Sequence, residues 1–110
     1  MDQQTIEQGK TLAFISYLTL FGVIIAWVMN MEKRNSFISF HTRQSLGLWL
    51  TYMIFGYVVG YFDSWTISIG FWVFFGILFI YGIFSAISGK HNAVPLVGNL
   101  YQRIFAAIGK

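Results

Sequence analysis

Two histidines, one aspartate between apolar runs and a short series of hydroxyl side chains are the residues here whose types invite chemistry. His41 and His91 are candidate metal ligands or proton carriers. Neither has another His, Asp or Glu within four positions, so a metal would have to draw its ligands from distant segments or other chains. Hydrogen bonding at a membrane interface, or contact with lipid, is the plainer role for both, and no metal or cofactor is expected. Asp63 is expected to cap the helix that follows it rather than bind a substrate. Tyr81, Ser85 and Ser88 share one helical face at i, i+4, i+7 spacing, a pattern that serves local or interhelical hydrogen bonds more readily than it lines a path.

The remaining chemistry is excluded residue by residue. There is no Cys, hence no disulfide framework and no thiolate. No nucleophile stands at usable spacing from a base, no Gly loop precedes a Lys to cradle phosphate, and no carboxylates are paired. No catalytic residue is expected, and the chain reads as a non-enzyme. Pumps and secondary transporters usually keep an ionisable group inside the membrane, which the apolar runs here lack.

What positions these residues is set by composition. In 110 residues the charged share is 10%, with 56% hydrophobic and 20% aromatic; a soluble domain carries about a quarter charged residues. Such a chain cannot coat a soluble surface, and its apolar residues gather in runs that lipid solvates better than water. The net charge of +3 is scattered at run boundaries and forms no stripe, so nucleic acid is not an expected partner.

The pattern predicts one all-α membrane domain over residues 1–110, with three transmembrane helices over about 11–29, 45–62 and 65–89. The first run has nineteen uncharged residues, about 28 Å of helix, close to the ~30 Å hydrocarbon thickness. It exceeds the ~7–15 residues of a signal-peptide core and lacks a small-residue cleavage site, so it is expected to stay. An interfacial helix over 36–44, capped by Ser36, precedes the second span, is expected to run on into it, and gathers Phe37, Phe40, His41 and Gln44 on one side. After Pro95, residues 96–110 are expected to form an amphipathic helix on the membrane, with Val97, Leu100, Ile104 and Ile108 along one side. As helix-packing residues we single out Gly56 and Gly60, a GxxxG pair, with Tyr52 and Trp49 on the same stripe.

Orientation follows from the cations. With three spans, Lys33, Arg34, Arg43, Lys90, Arg103 and Lys110 fall on one side and Lys10 on the other, which predicts a cytoplasmic C-terminus and an external N-terminus. Lys33, Arg34, Arg43, Lys90 and Arg103 are expected to meet lipid headgroups. His41 and Gln44 are expected to form, with Asn92 in the Lys90–Gly98 connection, a polar cap on the cytoplasmic side of the bundle.

Two runs carry a family resemblance. Phe37-Ile38-Ser39-Phe40-His41-Thr42-Arg43-Gln44-Ser45, together with Gly89-Lys90 and Val94-Pro95-Leu96-Val97-Gly98, resembles the small bacterial membrane proteins related to the chloroplast inner-envelope import component. The resemblance implies an α-helical membrane fold in the bacterial inner membrane and, for the plastid members, a part in moving proteins across the envelope. The function expected is that of an accessory or scaffold subunit in a membrane protein complex, its partners being the lipid bilayer and other membrane proteins or copies of itself. Assembly of several copies into a passive pore or protein-conducting path is the alternative.

Overall fold

The first apolar run is not one rod. A computed structural model, which describes residues 3–107, breaks it at Thr19 into α1 (Gln3–Leu18) and α2 (Leu20–Lys33). Thr19 is extended, at φ −153° and ψ 166°, and its hydroxyl accepts the Gly22 N–H at 3.0 Å, so it caps α2 and ends α1 in a single residue. Gly22 lets the chain double back, since a Cβ there would run into the Ile15 carbonyl. Leu12 then packs with Ala26, as an antiparallel hairpin requires. The two arms have 16 and 14 residues, about 24 and 21 Å. Neither is a full-length span, and the prediction of three transmembrane helices is corrected here.

The interfacial helix expected at 36–44 and the second span are one element, α3 (Ser36–Val59). Its cap is Asn35 rather than Ser36, with Oδ1 accepting the Phe37 and Ile38 N–H groups at 2.9 and 3.1 Å. Phe37, His41 and Gln44 do share a face, but that face is fully buried in protein instead of lying in headgroups. The reason is α1, which runs alongside: Gly9 stands against Asn35, Phe37 and Ile38, and Tyr17 reaches His41.

α4 (Trp65–Ile87) coincides with the expected third span, and among the described residues it is the one helix long and apolar enough to cross a membrane. Only 17% of its most apolar window is buried, so it is not the core helix of a soluble bundle. Its cap is Ser64, whose Oγ accepts the Ile67 N–H, not Asp63. It runs antiparallel to α3, with Tyr52 stacked on Phe71 and Trp49 edge-on to Phe79 at a centroid distance of 4.9 Å.

The expected amphipathic helix over 96–110 shrinks to α5 (Gly98–Ile104); residues 108–110, including Ile108 and Lys110, lie outside the described residues. Leu100 and Ile104 face outward while Tyr101 and Gly98 are buried. Gly47 explains the change, because its missing Cβ leaves a hollow that the Tyr101 ring fills, and the Tyr101 hydroxyl meets Thr51 Oγ1 at 2.7 Å. The start of α1 also lies where an external N-terminus does not put it. Lys10 touches Gly89 and the Thr5 carbonyl accepts from Asn35, so α1 begins at the same end as the α2–α3 and α4–α5 connections.

Glycine packing gives a direct test of this arrangement. A Cβ at Gly82 would meet the Tyr17 ring at 2.5 Å, whereas at Gly76, six residues earlier on α4, nothing lies within 4 Å. Gly82→Ala should destabilise the protein by about 1–3 kcal/mol through overpacking, and Gly76→Ala should be neutral or stabilise by up to ~1 kcal/mol through helix propensity. Thermal unfolding of both variants in detergent checks the contrast.

Candidate functional site

The densest polar chemistry in the molecule is a buried knot where α1, α3 and the α4–α5 connection meet. Helical spacing places His41 and Gln44 one turn apart on the inner face of α3, and Tyr17 projects between them from α1. The Tyr17 hydroxyl stands 2.7 Å from His41 Nδ1 and accepts the Gln44 side-chain N–H at 2.8 Å. His41 Nε2 is 2.8 Å from the Lys90 carbonyl, and Gln44 Oε1 accepts the Val94 N–H at 2.8 Å. Ser85 completes the tie by donating to the Lys90 carbonyl at 2.9 Å and accepting the Asn92 N–H at 3.2 Å.

These bonds assign the protons. A carbonyl only accepts, so His41 Nε2 carries hydrogen, and Nδ1 is left to accept from Tyr17. The imidazole is therefore neutral, and every donor in the knot has an acceptor. Three aromatic rings, Tyr17, Phe37 and Phe40, stand edge-on around the imidazole. With no open side, His41 here is a structural tie and not a proton carrier to solvent.

A second buried lock joins the N-terminal ends of α1 and α3. Asn30 Nδ2 donates to Ser39 Oγ at 2.8 Å, Asn30 Oδ1 accepts the Asn35 N–H at 2.8 Å, and Asn35 Nδ2 donates to the Thr5 carbonyl at 2.8 Å. Arg34, at φ 48°, supplies the left-handed turn that lets Asn30 and Asn35 face each other.

The residues singled out from the sequence fall into separate groups. His41 and Gln44 meet the 90–94 segment, but Asn92 contributes its backbone N–H while its side chain is exposed. Gly56 lies in ordinary contact with Phe71, whereas Gly60 ends α3 with only its own helix beside it, so the GxxxG pair is not a two-glycine seam. Trp49 and Tyr52 do pack on α4, and the Trp49 indole N–H is buried without an acceptor among the described residues. Lys33, Arg34, Lys90 and Arg103 are exposed at one end, and Arg43 reaches the Ala106 carbonyl at 3.4 Å. Ser85 turns inward while Tyr81 and Ser88 turn outward, so these three do not make one wetted surface.

Sequence reasoning missed Tyr17, Asn30, Asn35 and Tyr101. Tyr17 and Tyr101 sit in apolar runs where a Tyr is unremarkable. Asn30 and Asn35 did carry a signal, since amides flanking a charged turn are frequent caps. The clefts hold no further chemistry. One of about 440 Å³ between α1, α3 and α4 is lined mainly by Trp49, Tyr52, Trp72, Phe75 and Phe79, and another of about 470 Å³ beneath α5 is lined almost wholly by apolar side chains. Among the described residues no group of three or more His, Cys, Asp or Glu stands close enough to hold a metal.

Comparison with known proteins supplies the family. The model of the MamF/MmsF magnetosome magnetite crystal formation protein family matches residues 8–101, and the chain belongs to that family. No curated protein and no solved structure matches it. The resemblance to the chloroplast inner-envelope import component is thereby overturned, and the translocation role it implied goes with it. Both runs behind it, Phe37–Ser45 and Val94–Gly98, lie inside the matched stretch, and here they supply Phe37, His41, Gln44 and Val94 to the buried knot. They report a way of packing helices.

The knot gives a direct test by substitution. Tyr17→Phe leaves His41 Nδ1 and the Gln44 side-chain N–H without their shared hydroxyl, and should destabilise the protein by about 1–3 kcal/mol, read as a lowered unfolding midpoint in detergent.

Proposed function

We propose, with membership of the magnetite crystal formation family as premise, that the chain is a non-enzymatic accessory subunit of the magnetosome membrane. It supports crystal formation by organising neighbouring membrane proteins or further copies of itself, not by holding iron. The observation that supports this most directly is the distribution of polar groups: His41, Gln44, Tyr17 and Ser85 are tied to one another inside, and the outer surface is mostly large apolar residues. Iron as cargo prefers hard oxygen ligands in groups. The described acids stand apart, with Glu7 paired to Lys10 at 2.9 Å, Glu32 at the end of α2, and Asp63 at the opposite end of the molecule. Apolar helix surfaces of this kind suit association within a bilayer through close packing.

In a magnetite-forming host lacking this chain, crystals should change in size or shape and be restored by the native gene. A Glu32→Gln, Asp63→Asn double variant should restore them equally well; failure of that variant alone would place iron handling on this chain and overturn the accessory reading. Mild-detergent purification from native membranes should recover bound chains or self-associated protein, and a lone monomer would count against it.

A further inference from the structure

All the described cations gather at one end of a molecule 48 Å long. Lys33 and Arg34 precede the Asn35 cap, Lys10 touches Gly89 beside Lys90, Arg43 reaches Ala106, and Arg103 follows Gln102, whose amide bonds the Phe40 carbonyl. At the other end, around the α3–α4 turn, Asp63 is the lone charge, among Tyr57, Tyr61, Phe62 and Trp65, all exposed. Cations on one side and an aromatic girdle on the other are the two marks of membrane interfaces. From Trp65 to Ile87 the distance between them is about 34 Å, enough to cross.

Antiparallel pairing makes α3 cross with α4. Its polar residues, His41, Thr42, Gln44 and Ser45, are buried inside the protein, and from Met53 to Val58 its outward residues are apolar. Hydropathy averaged along α3 counts groups that lipid never meets. The α1–α2 hairpin starts and finishes at the cationic end, and its turn reaches only halfway: Leu18 lies beside Trp49, Trp72 and Gly76, near the midpoints of α3 and α4. The outer face of α2 is apolar from Phe21 to Met31, with Phe21 77% exposed just past the turn and Ile24, Ile25 and Val28 behind it, and the charged Glu32 and Lys33 come only in its last turn, at the cationic end. Thr19 breaks the backbone by one residue, returning its hydroxyl to Gly22 and its carbonyl to Val23, which leaves few polar groups unpaired at that depth.

We infer that α3 and α4 cross the bilayer as a pair while α1–α2 is a re-entrant hairpin dipping into one leaflet only. The lipid-facing partner of α2 is the acyl layer of the cation-side leaflet, and both chain ends lie on that side. This rests on the membrane association in the functional reading above. It replaces the six-to-one distribution of cations with one in which every described Lys and Arg is on a single, cytoplasmic face.

The native chain has no Cys, so single cysteines read this placement directly in the full-length protein. Gln4→Cys, Leu18→Cys, Thr19→Cys, Asp63→Cys and Ala107→Cys are each exposed to a membrane-impermeant maleimide in sealed vesicles of both orientations. Positions 4 and 107 should label in inverted vesicles, position 63 in right-side-out vesicles, and positions 18 and 19 only after detergent is added. Labelling of 4 and 107 from opposite faces, or of 18 and 19 in sealed vesicles, overturns the re-entrant arrangement. Extraction of the native chain from membranes by alkaline carbonate would instead overturn the membrane reading itself, and this inference with it.

Discussion

The Tyr17 side chain is the joint on which the rest of the structure depends. Its ring lies where Gly82 of α4 offers no Cβ, and its hydroxyl gives a hydrogen to His41 and takes one from Gln44. Through those two partners it holds the Lys90 carbonyl and the Val94 N–H, and so the whole connection from α4 to α5. In apolar surroundings an unpaired member of such a network costs far more than each bond contributes when made. The knot therefore permits one seating of α1 against α3 and α4.

Polarity in this molecule is arranged inside out at one end. The buried polar side chains are amides, hydroxyls and one neutral imidazole, and apart from Ser16 near the hairpin turn they are gathered toward the cationic end, while the far half of α3 and α4 is held by rings: Tyr52, Phe71 and Phe75. Lipid gives apolar helices no hydrophobic reason to associate, so close glycine approaches and internal hydrogen bonds must do it. Gly9, Gly22, Gly47 and Gly82 supply the first, and the two polar locks supply the second.

Membership in a family named for magnetite crystal formation sits beside a chain whose described acids are few and dispersed. In the accessory role proposed above, a part in crystal growth would act through the membrane and its other proteins, for which an apolar exterior and a self-satisfied interior are suitable. The residues behind the misleading resemblance to an import component are those that build the interior. Residues that build an interior report packing and leave the task open.

Much was legible from residue order. Low charge and long apolar runs are enough for an all-helical, membrane-associated chain, and the α4 boundaries follow from twenty-three residues with no charge or proline between Ser64 and Ser88. The shared face of Phe37, His41 and Gln44 came from spacing alone. Tertiary structure decided the rest. Whether Thr11–Met29 runs straight depends on a threonine cap and on Gly22 nesting against Ile15, an interaction between two arms that exists only once they have folded back. Which side of α5 turns inward depends on a hollow at Gly47, fifty-four residues before Tyr101. Periodicity reports how residues are arranged around one helix; it carries nothing about which neighbour that helix will meet, and here the neighbour determined both the spans and the site.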